Sequence, residues 1–99
     1  MKKYSYKIRA KVWLYKGMGA WHFVTLPKKQ SAEIKMRFGL FTKGFGSIPV
    51  TVTVGTTSWK TSIFPDTKSS AYVLPLKKEV RAAENIKHGD TITFQLALS

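Results

Sequence analysis

The sequence contains no cysteine, so disulfide bonds and metal sites built on thiolates are both excluded. It also contains no apolar run near the length of about 20 residues that a membrane-spanning helix needs. The lysine-rich start lacks the apolar core that signal peptides carry. We therefore expect one cytoplasmic domain of 99 residues whose stability comes from packing alone.

Acidic residues are scarce, because five Asp and Glu stand against 17 Lys and Arg, which gives a formal net charge of +12. A surface with this excess attracts polyanions, whether nucleic acid, an acidic membrane or an acidic protein. The alternative is that the charge only keeps a small domain in solution. The total charge does not choose between these two interpretations, and it leaves the oligomeric state open.

Alternation of polar and apolar residues predicts strands over much of the chain. Residues 4–14 place aromatic or aliphatic side chains at even positions and Lys7, Arg9 and Lys11 at odd positions, until Trp13 interrupts the polar face. This period of two indicates a strand with one buried face. Further strands are predicted at residues 21–26, 48–55, 58–64, 71–76 and 91–98.

Two segments depart from this period and favour helix. In the first, Ser31 is the predicted N-cap, Glu33 lies in the first turn, and Gly39 ends the helix after about two turns. The second covers residues 77–85, where alanine and glutamate are good helix formers.

The segments FVTLPKKQ, from Phe23, and YVLPLKKE, from Tyr72, are nearly the same. Each is the second strand of a β-β-α-β unit that runs into its helix, so the chain contains two such units. We predict a mainly β fold with two short helices, arranged as a six-stranded closed barrel with pseudo-twofold symmetry and double-psi character. The first unit has about nine additional residues, LFTKGFGSI, where a binding loop is expected.

The sequence has no pattern typical of metal binding or catalysis. His22 and His88 are far apart, and neither has another histidine or a cysteine near it, so no metal ligands are expected. No two of the five acidic residues share a motif, and no Ser, His and Asp set has a recognisable spacing. We predict a binding protein without a cofactor rather than an enzyme. The minority alternative is an enzyme whose catalytic residues are distant in sequence and are brought together in a cleft only by the fold.

Nucleic acid is the partner that the basic strand favours. Lys7, Arg9 and Lys11 lie about 6.6–6.8 Å apart along a strand, which approximates the spacing of alternate phosphates in one strand of a duplex. The glycine-bearing loop adds N–H groups, a lysine and a hydroxyl that suit an anion, from Lys43, Gly44, Phe45, Gly46 and Ser47. Candidate stacking partners for unpaired bases are Trp13, Trp21, Phe45 and Trp59.

A small anionic ligand is the alternative partner. Trp21, His22, Trp59 and Lys60 are predicted to meet at the mouth of the barrel, where aromatic walls and a few polar groups would form a pocket. The competing interpretation is that these aromatic side chains belong to the core.

Several stretches resemble a known family: GAWHFVTLP, KGFGSIPVTVTVG, WKTSIFPDTKS and YVLPLKKEVRAAENIKHGD. Together they cover nearly the whole chain, which resembles the small bacterial and archaeal domain of unknown function numbered nineteen hundred and five. The resemblance implies a small β-barrel that occurs alone or beside a bacteriocin-protection domain. It implies no activity and no catalytic residues.

Overall fold

The computed structural model describes residues 4–17, 21–39 and 46–98, which form six strands and two helices in the predicted element order. Their bounds are β1 Tyr4–Leu14, β2 His22–Thr25, α1 Lys28–Phe38, β3 Ile48–Val54, β4 Thr57–Asp66, β5 Ala71–Pro75, α2 Lys78–Ala83 and β6 Thr91–Leu98.

The strands form a closed barrel in the order β1-β2-β5-β4-β3-β6, and all six strand pairs are antiparallel. The longest ladder joins β1 to β6, from the pair Tyr4–Leu98 to the pair Lys11–Thr91. The prediction of a mainly β, six-stranded closed barrel with two helices is therefore confirmed. Its twofold symmetry and double-psi character stay predictions.

Alternation along each strand decides which side chains fill the barrel. Inward residues from all six strands are almost fully buried, among them Ile8, Val24, Val52, Ile63, Leu74 and Leu96. The helices add Ile34 and Phe38 from α1 and Val80 from α2 to the same core. Burial stabilises the fold by about 1.5–3 kcal/mol for each aliphatic or Phe side chain of this size.

Helix α1 begins before Ser31, so the predicted N-cap is wrong. Pro27 occupies the N-cap, and its carbonyl accepts the first helical hydrogen bond, from the N–H of Ser31 at 2.9 Å. Glu33 consequently lies beyond the first turn. Ser31 is buried, and its hydroxyl oxygen accepts a hydrogen bond from the N–H of Tyr72 in β5 at 3.0 Å. The serine therefore ties the helix to the barrel, while Gly39 ends the helix as predicted.

Helix α2 is shorter than predicted, because the chain turns sharply after Glu84. Asn85 has a φ of +53°, and the N–H of Ile86 donates to the carbonyl of Arg81 at 2.9 Å. This left-handed arrangement satisfies a carbonyl of the last turn and stops a helix. Within the described part of the chain, neither helix is long and apolar enough to cross a membrane.

A two-residue turn, Gly55 and Thr56, joins β3 to β4. Gly55 has a φ of +57°, and a Cβ at this position would overlap the carboxylate of Glu84. That carboxylate accepts a hydrogen bond from the hydroxyl of Thr57 at 2.5 Å. The turn therefore requires glycine, and it is held against the residue that follows α2.

Candidate anion-binding site

A cavity opens in the barrel wall where the pairing of β4 with β5 stops. The ladder between these strands ends at the pair Phe64–Val73, and α2 follows β5 shortly afterwards. The cavity has a volume of about 420 Å³. The four residues predicted to meet at a barrel mouth all line it: Trp21, His22, Trp59 and Lys60.

Main-chain hydrogen bonds fix the walls of this cavity. The N–H of Leu76 donates to the carbonyl of His22 at 2.9 Å, which joins the end of β5 to β2. The N–H of Tyr15 donates to the carbonyl of Trp21 at 2.8 Å. Trp59 lies on the inward face of β4 and is only 9% exposed. Its indole therefore belongs to the cavity and the core, and it offers no open face on the outside of the barrel.

Three further cations line the cavity and were not predicted to lie there: Lys77, Lys78 and Arg81. Lys78 and Arg81 lie three residues apart on α2, so they share one face of the helix. The Nε–H of Arg81 donates to the carbonyl of Leu76 at 3.1 Å, which orients the guanidinium beside the cavity wall. The helical spacing of Lys78 and Arg81 was a usable signal, but only the fold shows that both side chains line the same cavity as Trp59.

The charge lining the cavity is of one sign. Among the described residues that line it, four are Lys or Arg and none is Asp or Glu. The rest of the wall combines indole rings with Pro75 and Leu76. Like charges brought together in a partly enclosed site repel one another, and an anion between them removes that repulsion. Chemically, the cavity suits a ligand with one anionic end and one apolar end.

Lys7, Arg9 and Lys11, which we call the basic row, all lie exposed on the outer face of β1. Their cross-strand neighbours on β6 are Gln95, Thr93 and Thr91, which are also exposed. The sequence therefore placed this row correctly on the outside of the barrel. The structure does not bring it into the cavity.

The glycine-bearing loop is described only at its end. Lys43, Gly44 and Phe45 lie outside the described residues. Gly46 has a φ of +77°, and a Cβ there would approach the Pro65 ring at 3.2 Å. Ser47 is 8% exposed. These two residues lie near the end of β4 rather than beside the basic row.

The predicted stacking residues fall into different environments. Trp13 faces outward from β1, and its indole N–H donates to the hydroxyl of Thr25 at 2.9 Å. Trp21 is 56% exposed, whereas Trp59 is buried and Phe45 lies outside the described residues. Phe23 contacts both Trp13 and Trp21 and was not among the predicted residues.

Two carboxylates have local structural roles. Asp66 accepts a hydrogen bond from the Ser69 hydroxyl at 2.8 Å, and Asp90 accepts one from the N–H of Lys87 at 2.8 Å. Among the described residues, no three His, Asp or Glu side chains come together as a metal site would require. The predicted absence of catalytic residues, metal and cofactor stays a prediction.

Comparison with known proteins gives a family but no activity. No curated protein matches this chain. A family model matches residues 9–96, which include all or most of each strand and both helices. The chain therefore belongs to the family described as Domain of unknown function (DUF1905).

Proposed function

We propose that the protein is a non-catalytic binding domain for a small anionic ligand, which occupies the cavity between β4, β5 and α2. One observation carries this proposal: Trp21, His22, Trp59 and Lys60 line a single cavity together with three further cations and no acidic residue. Its volume of about 420 Å³ lies within the range of small-molecule sites, about 300–1,000 Å³.

The lining residues define the chemistry of the ligand. Lys60, Lys77 and Lys78 supply ammonium groups that act as point charges, and Arg81 supplies a planar guanidinium suited to phosphate or carboxylate. Trp21 and Pro75 supply apolar contact for the rest of the molecule. A phosphate monoester with a planar ring satisfies both halves of the site, whereas free phosphate satisfies only one.

Phenyl phosphate is a suitable probe, with inorganic phosphate and neutral benzyl alcohol as partial ligands. We expect phenyl phosphate to quench tryptophan fluorescence and to bind more tightly than either partial ligand in calorimetry. Lys77→Ala and Arg81→Ala should each weaken binding about 10-fold or more, since each removes a hydrogen-bonded charge worth about 1.5–3 kcal/mol. Lys87→Ala is the matched control for Lys77→Ala, because Lys87 is also an exposed lysine but does not line the cavity.

The proposal is rejected if phenyl phosphate and benzyl alcohol bind equally well, because the cations then contribute nothing. It is also rejected if Lys87→Ala weakens binding as much as Lys77→Ala does. In that case the ligand responds to the total charge of the protein and not to the cavity.

Nucleic acid is the second candidate partner, bound through Lys7, Arg9 and Lys11 with the loop at Lys43, Gly44, Phe45, Gly46 and Ser47. The exposed, regularly spaced basic row supports this proposal, as do its neighbours on β6, which are polar and uncharged. Binding of this kind weakens steeply with salt, by a slope of about 0.7–0.9 in log K for each neutralised phosphate. Affinity that hardly changes with salt would exclude it.

We also propose that the barrel is double-psi-like, with two related halves. Exchange of β1, β2 and β3 with β4, β5 and β6 leaves the circular strand order unchanged, which supports a twofold relation. A cytoplasmic location stays a prediction.

A further inference from the structure

Four aromatic side chains gather on the outside of the barrel, where the β1–β2 pair begins: Trp13, Tyr15, Trp21 and Phe23. We call them the aromatic cluster. Phe23 is at its centre. Its ring lies 5.1 Å from Trp13, 6.0 Å from Trp21 and 6.4 Å from Tyr15, measured between ring centroids.

Strand register shows why this cluster faces solvent. Trp13 pairs with Phe23, and Phe23 pairs with Pro75, so the three residues form one row across β1, β2 and β5. The adjacent row, Val12, Val24 and Leu74, is buried in the core. Because neighbouring residues on a strand point to opposite faces, the aromatic row points outward.

The rings are held in place but remain open on one side. The hydrogen bond from Trp13 to Thr25 fixes the first indole, and the Trp21 ring lies nearly parallel to Phe23, at 13°. Trp21 is 56% exposed and Tyr15 is 50% exposed. A Cβ at Gly17 would overlap the Tyr15 ring, so the glycine leaves room for this ring to fold back over the turn. The cluster thus presents preorganised aromatic faces to solvent.

The cluster continues the basic row along the same strand face. Lys7, Arg9, Lys11 and Trp13 occupy alternate positions of β1, and together they span about 20 Å. A partner that lies along β1 therefore meets three cations first and aromatic rings next. Cations that track a phosphate backbone, followed by aromatic faces that stack on bases, are the combination by which proteins bind single-stranded nucleic acid.

We propose that the aromatic cluster stacks on the unpaired bases of a single-stranded nucleic acid whose phosphates lie on the basic row. This inference rests on the nucleic-acid proposal above and narrows its partner from nucleic acid in general to a single strand. A duplex keeps its bases stacked inside the helix and offers only phosphates to this face. The aromatic cluster consequently distinguishes single strands from duplexes, while the basic row binds both.

The test compares three labelled or competing polyanions at one salt concentration: a 15-nucleotide oligo-dT, a 15-base-pair duplex and heparin, which has charge but no bases. We expect oligo-dT to bind most tightly in fluorescence anisotropy. Tyr15→Ala should lower its affinity about 5- to 150-fold, the range that loss of one stacked base gives. Affinity for heparin should not change. Met36→Ala is the control, because Met36 is a large exposed side chain on α1, far from the cluster in sequence.

A triple variant tests the nucleic-acid proposal separately from the stacking inference. It carries Lys7→Gln, Arg9→Gln and Lys11→Gln together. We expect it to weaken binding of all three polyanions and to reduce the salt slope for oligo-dT by about 2. If it does so while Tyr15→Ala changes nothing, the basic row binds nucleic acid and the stacking inference is wrong. If no polyanion binds the unmodified protein at low salt, both proposals fall.

Two other results would overturn the stacking inference alone. Equal affinity for oligo-dT and duplex would show that the rings do not read unpaired bases. A dimer in light scattering that dissociates in Tyr15→Ala would show that the aromatic cluster is a contact between two copies of this chain.

Discussion

The barrel wall has two places where strand pairing stops before the strands end, and a helix follows each. The β1–β2 ladder stops at Val12–Val24, and the β4–β5 ladder stops at Phe64–Val73. At the first, α1 packs against β1 and β5: Phe38 contacts the Tyr4 ring at a centroid distance of 5.4 Å, and Ser31 bonds to Tyr72 of β5. At the second, α2 buries only Val80, and the cavity remains.

Helix length accounts for this difference. The 11 residues of α1 extend about 16 Å, whereas the six residues of α2 extend about 9 Å. The longer helix delivers Ile34 and Phe38 to the core, and the shorter one ends before a second large side chain can do so. A cavity can therefore remain in the wall of a closed barrel because one of its two helices stops early.

The largest effect on stability should come from removing the side chain by which α1 fills the gap left where the β1–β2 ladder stops. Phe38→Ala removes a buried ring and leaves a space beside Tyr4, so we expect the free energy of unfolding in urea to fall by about 3–5 kcal/mol. Met36→Ala on the same helix should change it by less than about 0.5 kcal/mol, because Met36 is 77% exposed. Similar losses for the two variants would mean that α1 does not fill the gap.

The hydrogen bonds that hold each helix region to the barrel should differ in their contribution to stability. Ser31→Ala leaves the buried N–H of Tyr72 without its acceptor, which should cost about 1–3 kcal/mol. Glu84→Ala removes the acceptor of Thr57 at a partly buried position, where water can replace it, and should cost about 1 kcal/mol or less. Thermal unfolding of both variants measures the difference. A larger loss for Glu84→Ala would reverse the comparison.

A further effect on stability should appear only at high pH, and it comes from Tyr6. Burial, together with the neighbouring Glu33, raises the pKa of Tyr6 to about 12 from its ordinary value of 10. Between about pH 10 and 12 the unfolded tyrosine loses its proton while the folded one keeps it, so stability falls as the pH rises. Tyr6→Phe should flatten part of this fall relative to the unmodified protein. Parallel curves for the two proteins across this range would contradict the prediction.

Much of the fold follows from the sequence because alternation is a local property. The period of two along residues 4–14 and 91–98 gives β1 and β6 with their observed bounds. The start of α1 was predicted less well because the hydrogen-bond partner of Ser31 is distant in sequence. Ser31 has the chemistry of an N-cap, yet its hydroxyl bonds to Tyr72, which lies 41 residues away in sequence. The two helices were therefore predicted to be nearly equal in length. The difference in length that leaves the cavity beside α2 could not be predicted.

The candidate sites were predicted in part for the same reason. Trp21, His22, Trp59 and Lys60 were predicted to meet at the mouth of a closed barrel, and all four line the cavity. Arg81 was missed because nothing local in the sequence shows that α2 packs beside the cavity that Trp59 lines. Trp13 was interpreted as an interruption of the polar face of β1. It lies on the same face as Lys11, and the pairing of β1 with β2 brings Phe23 beside it, which the sequence did not predict.

The ladder between β1 and β6 has a consequence for how the protein folds. It joins Tyr4 to Leu98, so these pairs form only after the chain has closed a loop that includes nearly every other element. Contacts so distant in sequence slow folding toward the millisecond-to-second range that is usual for β-barrels. The β3–β4 hairpin, closed by two residues, can form in microseconds. During synthesis, β6 must therefore leave the ribosome before the barrel can close.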